Sequence, residues 1–408
     1  MLRWARLGTF LTFALTGLLC GVWVARMPAL ADKLHVGPGA IGMVLLVWGL
    51  AALAAMQGLR GVIARLGSRT MLRVSLPLSA ATAVLVALAP SYGLLLAALA
   101  AFGMAFGVTD VAMNAQASVV ERAYRRPLMS GMHAGWCVGA MTGGAAGALT
   151  ALAGLSFTQS LLGTAALALP AALALGRTYL PDSPAAPGAR SERRQRLPMP
   201  VYLIGALAFI AFMAEGAVAD WSGLLLHGEL GAPEWLAALG YPLFETAMLT
   251  GRLAGDRLRT HLGTRRLLVA AGLGTAAAAG VVLTAPTVPV ALAGFFVTGL
   301  AVCTIVPTMI SLAGTAAPGR SAASVAQVGA MGYGGLLLGP VLIGFLAEAT
   351  SLRAGLGVVV VAALLVAAGA RLLPIAAGTD LASHEYLADR APEHPVPGPA
   401  EPALGKAA

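Results

Sequence analysis

Charge is what this sequence has least of. Only 11% of its 408 residues are Asp, Glu, Lys or Arg, against about 25% in an ordinary soluble domain. A water-facing surface cannot be built from that supply. Lysine is nearly missing: Lys33 and Lys406 are the two lysines among 26 basic residues. Cysteine occurs three times, at Cys20, Cys137 and Cys303. Each lies inside an apolar run, which excludes a disulfide framework and a metal-site spacing. No G-x-x-x-x-G-K-[ST] loop is present, so ATP drive from this chain is not expected. No H-E-x-x-H appears either, and His133 has no second histidine within a turn or two, so an intramembrane metalloenzyme is not expected.

What the chain does have is apolar length. Hydrophobic residues make up 58% and the mean hydropathy is +0.83. Runs of near 20 residues recur, each long enough to cross a hydrocarbon core of roughly 30 Å as a helix. Because lipid offers no partner for backbone groups, such runs predict an all-α polytopic membrane protein. Twelve spans are expected, near 8–26, 40–58, 71–89, 94–119, 131–153, 159–176, 201–223, 236–254, 266–284, 289–311, 324–347 and 352–372. With both termini in the cytoplasm, all basic residues except Arg26, Lys33 and Arg353 fall on the cytoplasmic side, as the positive-inside rule requires. The net charge of +9 therefore reports topology rather than nucleic-acid binding. No small-residue cleavage site follows the first run, so no cleavable signal is expected.

The chain reads as a duplication. Arg65-Leu-Gly67-Ser-Arg69 after the second span matches His261-Leu-Gly263-Thr-Arg265 after the eighth. Ser130-x-x-His133-x-Gly135 opening the fifth matches Ser324-x-x-Gln327-x-Gly329 opening the eleventh. Two matches at nearly the same offset predict a six-helix bundle over 1–176, a cytoplasmic linker over 177–200, a second six-helix bundle over 201–373 and a disordered, Pro- and Ala-rich cytoplasmic tail over 374–408. Parallel duplicated halves are the organisation of major facilitator transporters.

The motifs agree with that comparison. Trp23-x-x-Arg26-x-Pro28, Asp110-Val-Ala-Met-Asn114-Ala-Gln116, Pro127-x-x-Ser130-x-x-His133 and Glu215-Gly-Ala-x-x-Asp220-Trp221-Ser222 resemble the MosC-like branch of the major facilitator superfamily, which is distantly similar to fucose–proton symporters. The family's loop motif survives in part after the second span, with Ala64 in place of its aspartate. It is better kept as Gly251-Arg252-Leu-Ala-Gly255-Asp256-Arg257 after the eighth. The resemblance implies two pseudo-symmetric bundles, with spans 1, 4, 7 and 10 around a central cavity and spans 3, 6, 9 and 12 outermost. It also makes Arg252, Asp256 and Arg257 candidate gating residues.

Ionisable groups at bilayer depth cost at least about 2.5 kcal/mol, so they should face a cavity or the bundle interior. Asp110 lies roughly 6 Å from the middle of its span at 1.5 Å per residue, with Asn114 one turn on. The pair is a candidate proton or substrate site; the alternative is an interhelical hydrogen-bonding pair. Glu215 is the next candidate for proton coupling, and Glu245, the most central carboxylate and outside the motifs that carry the resemblance, is a candidate for substrate binding. His133 and Gln327 occupy equivalent places in the two halves, so a shared structural role competes with proton relay by the histidine. Glu121, beside Arg122, Arg125 and Arg126, reads as a cytoplasmic ion pair or gate element. Arg26 and Asp220, next to Trp221, are expected to close an extracellular gate. Trp48, Gln57 and Tyr333 could stack or hydrogen-bond in the cavity.

The expected function is secondary active transport of a small polar, possibly sugar-like metabolite by alternating access, driven by a proton gradient without a bound cofactor. A drug or metabolite efflux antiporter is the alternative, and a non-transporting membrane sensor or intramembrane enzyme a remoter one. The expected partners are the substrate and the lipid bilayer of a bacterial inner membrane, with no nucleic acid and the chain a monomer.

Overall fold

A computed structural model describes residues 2–124, 128–181, 196–317 and 320–373. The elements are α1 (Leu2–Ala25), α2 (Met27–Leu34), α3 (Pro38–Gly58), α4 (Arg60–Leu88), α5 (Tyr92–Tyr124), α6 (Met129–Leu152) and α7 (Phe157–Leu175) in the first half. The second half holds α8 (Met199–Leu224), a π-helical turn (Leu225–Glu229), α9 (Glu234–Ala237), α10 (Gly240–Leu262), α11 (Thr264–Thr284), α12 (Val288–Val302), α13 (Ile305–Thr315), α14 (Ser321–Ala349) and α15 (Leu352–Gly369). Ten spans among the described residues are long and apolar enough to cross a membrane, α12 and α13 forming one of them. The other two helices of the twelve are α6, diluted by glycine, and α10, which carries charge. Residues 182–195 of the expected linker and the whole expected tail lie outside the described residues.

The burial pattern is that of a protein solvated by lipid. Leucines and valines such as Leu78, Leu85, Leu167, Leu173 and Val361 stay exposed on the outer faces of their helices. Inside, Thr9, Thr12 and Thr16 of α1 are fully buried. Their hydroxyls donate to the carbonyls of Ala5, Gly8 and Thr12, four residues back, so none of these three hydroxyls is stranded.

Both halves use the same helix pairs. α1 packs on α6 and α8 on α14, while α3 meets α14 and α6 meets α10 across the halves. Glycine permits the tightest approaches. A Cβ on Gly139 would stand 1.9 Å from the Ala14 carbonyl oxygen, and one on Gly335, 196 positions later, 1.9 Å from that of Phe209. Gly67 (φ 77°, ψ 159°) and Gly263 (φ 76°, ψ 154°) also correspond. Both sit in backbone space that is essentially reserved for glycine.

The third span keeps its expected place: the membrane helix follows the bend at Gly67 and runs to Leu88, with a short helical piece from Arg60 before the bend. Two predicted spans need correction. The eighth is α10, starting at Gly240 and running to Leu262, with α9 a separate turn before it. Hydropathy ended it at 254, just past Arg252, but the helix continues beyond the apolar stretch to Leu262 and turns at Gly263. The tenth is broken at Cys303–Thr304 into α12 and α13. Pro307 lacks the N–H that would bond the Cys303 carbonyl four residues back. The other ten match to within about two turns.

Candidate functional site

The halves enclose a cavity of about 1000 Å³ between α1, α3, α5 and α6 on one side and α8, α10, the Cys303–Thr304 break, α13 and α14 on the other. It reaches the face where the arginines cluster: Met56, Met129, Arg259 and Ser311, all near helix ends on that face, belong to its wall. His133 and Tyr333 on the wall are exposed, the latter by 46%. The opposite end is sealed, with Met27, Leu30, Trp221 and Ala237 at 1% exposure or less.

Asp110 of α5 belongs to the wall, one turn after Phe106. The Phe106 ring lies 5.0 Å from that of Trp48 and 5.9 Å from that of Trp136, so α3, α5 and α6 present a continuous aromatic surface beside the carboxylate. Tyr333 of α14 comes within electrostatic reach of Asp110 from the other half and stacks on Phe212 at 6.2 Å. Asp220 of α8 is also on the wall, and Cys20 of α1 feels both carboxylates.

A second cluster surrounds Arg252. Its Nη2 lies 3.7 Å from Glu215 Oε2, and its Nε donates to the Cys303 carbonyl at 3.4 Å. That carbonyl is the one Pro307 leaves without a helical donor. Glu245, two turns before Arg252 on α10, is within its electrostatic reach, and Tyr241 lies beside Glu245. The Glu215 side chain is 11% exposed and its Oε1 has no hydrogen-bond partner among the described residues. One guanidinium therefore faces two carboxylates, an arrangement that can hold or release a proton as its geometry changes.

Other expected residues take different places. Asn114 Nδ2 donates to the Asp110 carbonyl at 2.9 Å and faces its Oδ1 at 3.4 Å, a local contact off the cavity wall. Glu121 Oε2 accepts from the N–H groups of Leu128 and Met129 at 2.7 and 2.9 Å, capping the start of α6. Of the three arginines expected beside it, Arg122 is exposed and forms no ion pair with it, and Arg125 and Arg126 lie outside the described residues. His133 reaches the cavity, Nδ1 3.1 Å from the Met129 carbonyl and its ring 5.1 Å from Phe13. Gln327 is half-buried on α14 and off the wall. Arg252 belongs to the cavity rather than to a loop. Arg257 is exposed, and the Asp256 side chain is not among those described.

The expected Arg26–Asp220 pair is not the one formed. Arg26 is 1% exposed; Nη2 donates to the Leu155 carbonyl at 2.6 Å and Nη1 lies 3.0 Å from Glu234 Oε2. α9 brings Glu234 over the end of α1, while Asp220 turns to the cavity. Trp221, its neighbour on α8, is fully buried and donates from Nε1 to the Pro340 carbonyl at 3.2 Å. Two further contacts join the halves at this sealed end: Asp32 with His227 at 3.1 Å, and Glu348 with the Gly39 N–H at 3.0 Å.

Sequence reasoning missed Glu234, Phe106, Trp136 and the Cys303 carbonyl. Pro307 was a legible signal for the last; nothing local marks Glu234, which meets Arg26 across more than 200 residues. Among the described residues no three His, Cys, Asp or Glu side chains lie together as a metal site.

The model of the Major Facilitator Superfamily matches residues 7–326. An uncharacterized transporter of Sinorhizobium fredii is 33% identical over 88% of this chain and 96% of its own length. An uncharacterized MFS-type transporter of Yersinia pestis is 32% identical over 90% and 95%, and the membrane protein MosC of Rhizobium meliloti 29% over 87% and 86%. In structure the chain is similar to the nucleoside transporter NupG (TM-score 0.70, 16% identity, 93% of this chain and 99% of that one). It is also similar to a bacterial homologue of the human lysosomal transporter Spinster in an inward-facing, occupied conformation (TM-score 0.73, 15% identity, 92% and 97%).

Proposed function

The chain belongs to the major facilitator superfamily, and from that premise we propose that this membrane transporter moves a small polar metabolite by alternating access, with proton movement coupled through Glu215, Arg252 and Glu245. The observation that carries this reading is the cavity between the halves, open on one face, sealed on the other and walled by a guanidinium shared between carboxylates. Removing either member of such a cluster changes the charge left inside. A proton on Glu215 would free Arg252, and the two states would differ in how the halves hold each other.

The same reading places the arginine-rich face in the cytoplasm of a bacterial inner membrane, with both termini on that side. The state described would then face inward, with Arg26–Glu234 as its closed outer latch. The similarity in structure to a nucleoside transporter and to a bacterial homologue of a lysosomal transporter supports transport as the general activity.

The test is flux in proteoliposomes with an imposed pH gradient over a panel of small polar solutes, amines included. Wild type is expected to accumulate one class in a gradient-dependent way, and the sign of the effective gradient separates uptake from efflux. Glu215→Gln should bind the same solute but lose gradient dependence. Flux indifferent to the gradient in wild type would overturn the coupling.

A further inference from the structure

The charges on the cavity wall are unequally matched. Arg252 is held by Glu215 and the Cys303 carbonyl. Arg259, near the open end, forms no ion pair among the described residues, but donates from Nε to the Thr264 hydroxyl at 3.0 Å and from Nη1 to the Ser311 hydroxyl at 2.8 Å. Asp110 and Asp220 stand on the same wall, and neither forms an ion pair among the described residues. A carboxylate at membrane depth without a counter-charge is costly. Something that enters the cavity must answer it, and the choice lies between a proton and a cationic guest.

The surface beside Asp110 favours the guest. Trp48, Phe106 and Trp136 form one run of rings next to the carboxylate, and Tyr333 faces it from the other half. Aromatic faces do nothing for a proton already on an oxygen, whereas they attract an ammonium group within about 6 Å of a ring centre. An anionic solute would meet two carboxylates, and a neutral polyol would leave both unanswered. We propose that the cavity recognises an amine with a flat apolar body, its ammonium on Asp110 and its body against Trp48, Phe106 and Trp136. Asp220, on the same wall, adds a second negative position that disfavours anions. This inference rests on the cavity being the transport site.

The test uses three compounds of one shape and different charge: phenethylamine, phenethyl alcohol and phenylacetate. Binding to the full chain in detergent is read by quenching of tryptophan fluorescence, since two of the proposed contacts are tryptophans. The amine should bind about tenfold more tightly than the alcohol, the size of one good desolvated contact, with phenylacetate weakest. In Asp110→Asn the advantage of the amine should fall to about twofold or less, while the unchanged affinity of the alcohol shows that the cavity is intact. Asp110→Glu should keep the preference. Equal binding of amine and alcohol in wild type, no quenching by any of the three, or a preference that survives Asp110→Asn would each overturn the proposal. No gradient is imposed, so a chain that selects the amine but carries no proton-driven flux refutes the coupling and leaves this recognition standing.

Discussion

At the scale of single residues, the site depends on which charges can see one another. Arg252 is the cation that both Glu215 and Glu245 face, paired with the first at 3.7 Å and within electrostatic reach of the second. Arg252→Ala should therefore destabilise the protein by about 3 kcal/mol, the usual cost of leaving a buried carboxylate without its partner. Arg252→Gln combined with Glu215→Gln and Glu245→Gln should recover most of that loss, because no charge is then stranded. Thermal unfolding in detergent checks both; a triple variant no better than the single would mean that Arg252 stabilises through packing instead. Asp110, Glu215 and Glu245 were legible as singular carboxylates in apolar runs. Their division into an unpaired site and a paired one was not, since ion pairing depends on side-chain direction, which spacing along one helix does not give.

At the scale of elements, glycine decides where helices touch. Gly335→Ala would press a methyl group onto the Phe209 carbonyl, while Gly329 on the same helix has nothing within 4 Å of a Cβ. The expected outcome is opposite in sign: Gly335→Ala should lower the melting temperature, and Gly329→Ala should be neutral or gain up to about 1 kcal/mol from helix propensity. Equal effects at the two sites would remove the packing argument. The hydrophobic runs showed nearly every span, because lipid imposes a composition on whatever crosses it. They located the end of α10 poorly, because a helix stops where its backbone turns, at Gly263, and not where its side chains become polar.

At the scale of the whole molecule, the two halves are held at the sealed end by contacts between residues distant in sequence. Arg26 with Glu234 is the most buried of the four ion pairs described on its basic side. Arg26→Glu and Glu234→Arg should each reduce transport by favouring the opposite opening, and the double reversal should restore part of it. Flux in proteoliposomes measures this; a double variant as impaired as either single would show that the latch is not electrostatic. The duplication was visible in the loop motifs, and Gly139 with Gly335 repeats it inside the membrane.

Pro307 gives the broken helix a further consequence. An unbroken tenth span would consume the Cys303 carbonyl in its own ladder; the imide nitrogen of the proline cannot, and Arg252 takes the acceptor instead. The guanidinium is thus tethered to a bend, and its position follows the angle between α12 and α13. Straightening that bend would withdraw one of its anchors while leaving Glu215 in place. An uncharged residue on a neighbouring helix sets where the cavity keeps its positive charge.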